Sequence, residues 1–210
     1  MSKSIKDIVS SWAKDPSSSI ELNREEYNIV AKEYDMYLIK ELGYTAWRKW
    51  VRHVRGHFAR DMSVLDVCCG TGLVGTTLLQ NGFTNIHGVD LSQRMLDIAK
   101  SKNIYKTLTR HDMNKPFLSN GTFDLVTCIG SLTYFDSKGI LENIFSLTNP
   151  KGVIVLSHRS DMYESQGYER YLNNHSKVKV IKVTKDFPYL PGDPDYGDDI
   201  KVKFIILKKL

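Results

Sequence analysis

The sequence predicts an α/β fold in which short parallel strands alternate with helices, and three observations carry that expectation. Val64, Leu65 and Val67 form a short apolar run rich in β-branched residues. Gly70-Thr71-Gly72 breaks the run, and Leu73, Val74, Leu78 and Leu79 resume it at helical spacing. Two further strand-like runs, 85–91 and 123–130, follow at intervals with room for a helix between them. At 210 residues and 41% hydrophobic content the chain can bury one full core, and no internal repeat or second domain is visible.

Taken in order, 4–14 places Ile5, Ile8, Val9 and Trp12 on one helical face, and the Pro/Ser-rich 15–19 reads as a loop. This first piece is either an arm packed on the domain or a lid that screens a site from water. A helix over 21–42 carries Tyr27, Val30, Ala31, Tyr34, Leu38 and Leu42 and ends at Gly43. Its tyrosines are either a packing stripe or ligand contacts. The division expected is a helical arm or cap over 1–42 and a compact domain over 43–210.

A helix over 44–58 buries Tyr44, Trp47, Val51, Val54 and Phe58 and presents Arg48, Lys49, Arg52, His53, Arg55 and Arg60 on its other side. That basic side is a solvated face or a docking face for an anion or RNA. His53 and His57 lie four apart without a third ligand nearby, so no metal is expected.

After the glycine turn come a strand over 85–90, a helix over 93–100 with Ser92 at its N-cap, and a short strand over 105–109. A fourth strand spans 123–129. Asp136-Ser137 caps a helix running to 147, Asn149-Pro150-Lys151-Gly152 is a turn, and 153–156 is a fifth strand with His158 and Arg159 at its end. Residues 167–174 read as surface helix or loop. Strands over 178–183 and 200–207 are joined by PYLPGDPDYGDD, where Tyr189 and Tyr196 face a substrate and Asp193, Asp195, Asp198 and Asp199 face a cation, or the loop is an acidic turn without duties.

Cys68, Cys69 and Cys128 form no metal or disulfide pattern and read as small buried hydrophobes in a reducing cytoplasm. No apolar run approaches a membrane span, and Asp7 interrupts any signal-like core. The net charge of +5 is spread along the chain, so nucleic acid is not the expected partner.

Gly70-x-Gly72-x-x-Gly75 fits the dinucleotide fingerprint, which alone is weak. Asp66 argues against it, because a carboxylate at the strand's end repels a pyrophosphate by about 4 kcal/mol per charge pair at ~4 Å and an effective dielectric of ~20. A ligand with an ammonium and a sulfonium, such as S-adenosylmethionine, is attracted instead.

VLDVCCGTG resembles motif I of the class I S-adenosylmethionine-dependent methyltransferases. Asn85 to Ser92, Arg110-His111-Asp112-Met113 with Pro116-Phe117, and Phe123 to Gly130 resemble the family's next three segments in order. Two departures stand out: Cys68 replaces the first glycine of GxGxG, and Lys115 stands where a leucine is more usual. The resemblance implies a Rossmann-like three-layer sandwich, with a seven-stranded, mostly parallel sheet and an antiparallel last strand.

For the cofactor it implies ribose hydroxyls on Asp90 and the adenine amino group on Asp112. Tyr34, Asp66, Cys68, Gly70, Thr71, Gly72, Leu91, Met95, Met113, Ile129 and Gly130 complete the expected cofactor site. Asp90 lies 24 residues past Asp66, consistent with a ribose contact. Tyr27, Ser131, Tyr134, Arg159, Tyr189 and Tyr196 are the expected substrate contacts, with His158 and then Tyr134 as general base.

Ala31-x-x-Tyr34-Asp35 and the CCGTG turn look most like the Williams-Beuren syndrome region methyltransferase-like proteins. Ile129-Gly130-Ser131-Leu132 stands in place of the Asn/Asp-Pro-Pro-Tyr/Phe run associated with amino-nitrogen methylation of bases or glutamine. The expectation is methyl transfer to a small molecule without metal, in a monomer or homodimer. The alternatives are an RNA or protein methyltransferase docking through 48–60, and a regulator that binds the cofactor without turnover.

Overall fold

The computed structural model describes residues 4–14, 20–54, 56, 59–117, 121–135, 138–194, 197 and 199–210, without the side chains of 10, 12–14 and 20–23. Trp12's side chain, the 15–19 loop, Arg55, His57, Phe58, the Asp136-Ser137 cap, Asp195, Tyr196 and Asp198 lie outside that description.

Among the described residues eight strands form one sheet: β1 (Ser63–Val67), β2 (Asn85–Asp90), β3 (Thr107–Arg110), β4 (Phe123–Cys128), β5 (Thr148–Arg159), β6 (Val178–Val183), β7 (Phe187–Pro188) and β8 (Lys201–Lys209). The order is β3-β2-β1-β4-β5-β8-β6, with β7 paired to β8. The first five strands run parallel, and β8 runs antiparallel to both neighbours. This is the expected mostly parallel sheet with an antiparallel last strand, with the two-residue β7 as an eighth member.

Side chains alternate across each strand, so the sheet has two apolar faces and both are covered. Val64, Leu125, Val153, Val155, Phe204 and Ile206 face one layer, formed by α1 (Ile5–Lys14), α2 (Ile20–Val30), α4 (Ala46–Lys49), α5 (Leu73–Gln80) and α6 (Gln93–Ser101). Leu65, Val67, Ile154, Leu156, Ile205 and Leu207 face the other, formed by α7 (Gly139–Ser146), α8 (Ser160–Ser165) and α9 (Tyr168–Asn173). Ile8, Val9, Val30, Ala31, Leu38 and Leu42 of the N-terminal segment share the first core with Val64.

Three local expectations are corrected. The helix over 21–42 is broken: after α2 come a turn, α3 (Tyr34–Met36) and a π-helical turn Tyr37–Glu41. The helix over 44–58 ends at α4 and a 3₁₀ turn, Trp50–His53. Residues 149–152 lie within β5 as an irregularity, because Phe123 pairs with Thr148 but Leu125 pairs with Val153. Lys151 absorbs the extra chain at φ +62°. The 167–174 segment is a surface helix as expected, with Glu169, Arg170, Asn173 and Asn174 exposed and Tyr168 and Leu172 of α9 anchoring it in the core.

Candidate active site

The carboxyl ends of β1, β2 and β4 meet at the glycine turn. Cys68, Gly70 and Gly72 all take the left-handed conformation, at φ +55°, +53° and +90°. Cys68 is the one of these that bears a side chain, and the neighbouring Cys128 together with burial raises the pKa of its thiol. The turn is tied to β2 by the Cys69 amide donating to Val89 O at 3.0 Å, and it delivers Gly72 to start α5.

Asp90 sits where turn and cleft join. Its Oδ2 accepts from the Gly70 amide and its Oδ1 from the Ser92 amide, both at 2.8 Å. Burial raises its pKa, and the amide bonds from Ser92, Gly70 and Leu91 oppose that rise. Each carboxylate oxygen keeps a lone pair for an outside donor. Ser92 caps α6 by accepting from the Met95 amide at 3.2 Å. Its hydroxyl donates to Asn28 Oδ1 at 2.7 Å, which fastens α2 across the cleft.

Two adjoining chambers open here. The first is lined by Arg24, Tyr27, Tyr34, Cys68, Gly70, Asp90, Leu91, Ser92, Met95, His111, Asp112, Met113, Ser131, Tyr134 and Phe135. Asp112 Oδ1 accepts from the Asn114 amide at 3.0 Å, so it also makes its own turn, while Lys115 lies 3.9 Å from Oδ2. The second chamber shares Tyr34, Cys68, Gly70, Ser131 and Tyr134 with the first, and adds Val9, Leu38, Tyr44, Trp47, Thr71, Ile129, Gly130, Tyr189 and Leu190 among its walls. Among its lining residues there is no carboxylate, ammonium, guanidinium or imidazole.

Three phenols meet beside Gly130, which takes φ +85°. Tyr189 donates to Gly130 O at 3.4 Å, Tyr134 lines the same chamber, and a Cβ at position 130 would overlap the Tyr44 hydroxyl. Tyr44 and Tyr189 meet edge to face at 5.5 Å, and Tyr27 and Tyr34 do so at 6.0 Å. Burial raises the pKa of all five tyrosines, so each keeps its proton.

Four of the expected site residues are placed elsewhere. Asp66 is buried beneath the turn, where Oδ2 accepts from the Tyr105 hydroxyl at 2.7 Å and Oδ1 from the Thr127 hydroxyl at 2.9 Å. Burial raises its pKa to about 7, and it lines neither chamber.

His158 points to the opposite sheet face, as Ile154 and Leu156 do, and packs 4.4 Å from the Tyr168 ring. Its Nδ1 meets Arg159 O at 3.0 Å, Nε2 has no partner, and burial lowers its pKa to about 4. Ser157, one residue earlier, faces the cleft side and accepts from the Gly130 amide at 2.7 Å. Arg159 is paired with Asp161 at 2.8 Å and lines neither chamber. Gly72 packs against the Tyr105 ring, whose hydroxyl also occupies the space a Cβ at Gly75 would need. Thr71 lines the second chamber, with its hydroxyl donated to Asp35. Among the described residues no group of three His, Cys, Asp or Glu could hold a metal ion.

Tyr44 and Trp47 were legible only as packing residues, and Leu190, Arg24 and Asn28 carried no signal of a site role. A register argument, reading i and i+2 along β5, was available for His158 and separates it from Ser157.

A methyltransferase domain family matches residues 64–152. The chain is 31% identical over 204 residues to the demethylmenaquinone methyltransferase of Lactococcus lactis subsp. lactis, covering 89% of this chain and 80% of that one. It is 37% identical over 102 residues to human methyltransferase-like protein 27, covering 47% and 41%. Against several curated relatives it spans 41 to 63% of their length. Among solved structures, the [4+2]-cyclase SpnF superposes with a TM-score of 0.71 at 13% identity, covering 92% of this chain and 98% of that one. At that identity the likeness concerns the fold.

Proposed function

Because this chain belongs to the class I S-adenosylmethionine-dependent methyltransferases, we propose that it transfers a methyl group from S-adenosylmethionine to a small acceptor with an apolar body. The observation that carries the reading is Asp90, a carboxylate held rigid by two backbone amides at the junction of turn and cleft. In this reading Asp90 takes the ribose hydroxyls through its remaining lone pairs. Met95 and Met113 bracket the adenine, and Asp112 meets its edge. Gly70, which lines both chambers, and Gly130 in the second would hold the methionine portion.

The cofactor brings a methyl group already activated on a sulfonium. What remains for the chain is to align donor and acceptor at roughly 3 to 3.5 Å and keep water out. The α2 segment, fastened by Asn28 to Ser92, serves the second task. Neither His158 nor Tyr134 suits a general base in this reading, since one lies on the far sheet face and the other keeps its proton. The acceptor therefore arrives with a free lone pair, and the tyrosine hydroxyls act as donors to it.

The curated relatives named for demethylmenaquinone support a small acceptor. The Ala31-x-x-Tyr34-Asp35 segment and the CCGTG turn support kinship with the Williams-Beuren subgroup. No helix among the described residues is long and apolar enough to cross a membrane.

The test is calorimetry with S-adenosylmethionine, followed by incubation of a metabolite extract with methyl-labelled cofactor. Binding that Asp90→Ala abolishes, together with a labelled small product, is expected. An unmutated protein that binds no cofactor overturns the reading.

A further inference from the structure

None of the described residues lining the second chamber is charged, yet a cluster of cations lies behind its Trp47 wall. Trp47 lines the chamber, and the exposed guanidinium of Arg48 lies over the same indole, 5.7 Å from its centroid. Lys49 sits 5.0 Å over the ring of Phe187, two residues before the chamber residue Tyr189. Arg52 donates to His53 Nε2 at 3.3 Å, and Lys182 of β6 faces the same histidine.

The charges crowd one another: besides burial, Arg52 and Arg48 lower the pKa of Lys49, and Lys182 and Arg52 lower that of His53. Among the described residues none of the recorded ion pairs involves Arg48, Lys49, Arg52 or Lys182. Unpaired cations concentrated around Trp47 and Phe187, behind the chamber wall, favour an anionic ligand.

The geometry points to an acceptor of two parts: a flat, uncharged, apolar head in the Tyr44/Trp47/Tyr189 chamber and an anionic tail, phosphate or carboxylate, on the Arg48–Lys49–Arg52 collar. This deepens the methyl-transfer reading and rests on it. The two parts ask for different chemistry. An anionic tail among the aromatic walls of Tyr44, Trp47 and Tyr189 would find no counter-ion among the described lining residues and would lose its hydration, whereas Arg48 and Arg52 are exposed and gain a partner without desolvating deeply. The aromatic walls favour a planar head by stacking and edge contacts.

The test uses the full chain saturated with S-adenosylhomocysteine, so that nothing turns over, titrated calorimetrically with four probes: 1-naphthyl phosphate, 1-naphthoate, 1-naphthol and inorganic phosphate. Either naphthyl anion is expected to bind about tenfold more tightly than 1-naphthol and than phosphate, and to weaken as salt rises. Comparing the two anions separates a phosphate tail from a carboxylate. The double variant Arg48→Gln/Arg52→Gln should lose that tenfold gain while leaving 1-naphthol unchanged, and Trp47→Ala should weaken all three naphthyl probes.

Equal affinity for 1-naphthol and both anions overturns the inference, and so does a double variant that binds them as the unmutated protein does. Phosphate binding as tightly as the naphthyl anions would separate collar from chamber and also overturn it. A short single-stranded RNA that outcompetes them, with steep salt dependence, would transfer the collar to nucleic acid. Failure to bind S-adenosylhomocysteine would instead strike the methyl-transfer reading, which the saturation step tests separately.

Discussion

The Tyr105 hydroxyl donates to Asp66 Oδ2 at 2.7 Å, closing a buried contact directly beneath the glycine turn. The ring that makes this bond lies against Gly72, Gly75 and Gly88, so Gly72, expected to face the cofactor, instead makes room for Tyr105 together with the other two. Asp66 thus anchors the turn from below, and the charge it carries is set by burial.

That anchor has a pH signature. Burial raises Asp66 from the ordinary 3.8 to about 7. Between those values the folded chain holds a proton that the unfolded chain releases, so this group's contribution falls as pH rises from about 4 and is fully lost above about 7. The maximum is about 4 kcal/mol. Asp66→Asn should abolish that slope. Denaturant titrations of both proteins from pH 4 to 8 should therefore diverge in favour of the variant at the alkaline end, and parallel curves would contradict the assignment.

His158 predicts the opposite slope in an overlapping window. Its folded pKa of about 4 lies below the ordinary 6.5, so the unfolded chain binds the extra proton and stability is lost as pH falls from about 6.5 to about 4. The loss approaches 3 kcal/mol. His158→Phe removes the unpartnered Nε2 and keeps a ring against Tyr168, so it should flatten the acid limb and leave cofactor affinity untouched. A turnover collapse at pH 7.5 in a folded variant would return His158 to catalysis.

The contrast between these residues shows what local sequence carries. Asp90, Gly70, Met95 and Met113 were legible because each follows a strand end by a fixed short offset, and the chain's own geometry brings them to the crevice. Asp66 and His158 also stand at strand ends, but which face each one takes depends on register, and Asp66 needed Tyr105, 39 residues away, to find its role. The pairing of Trp47 and Tyr189 walls depends on loop packing, through the Gly192 amide donating to Leu42 O at 3.0 Å. No periodicity encodes that contact. The break at 31–33 escaped notice because its apolar spacing suits one long helix, while the π turn over Tyr37–Glu41 re-aims the chain.

Asp90 joins turn, helix start and cleft, so its loss should be felt in binding before stability. Asp90→Ala leaves the Gly70 and Ser92 amides to water at a partly open cleft and removes the acceptor offered to the ribose. A loss of 100-fold or more in S-adenosylhomocysteine affinity is expected, or about 3 kcal/mol. Unfolding midpoints should move by about 2 kcal/mol or less. Calorimetry paired with denaturation reads both, and a variant that unfolds without losing affinity would assign Asp90 to structure alone.

Gly130 and Tyr44 should be energetically coupled. At φ +85° any side chain at 130 is strained by about 1 to 2 kcal/mol, and a Cβ there would also overlap the Tyr44 hydroxyl. Gly130→Ala should therefore cost both terms, whereas Gly130→Ala in a Tyr44→Phe background keeps the strain and relieves the overlap. The ring's Cζ, 3.4 Å from the added carbon, then makes an ordinary contact. A double-mutant cycle by denaturation should show a coupling of about 1 kcal/mol in favour of the pair. Strict additivity would mean that Tyr44 swings away freely, and the three phenols beside Gly130 would then be a mobile wall of the chamber instead of a fixed one.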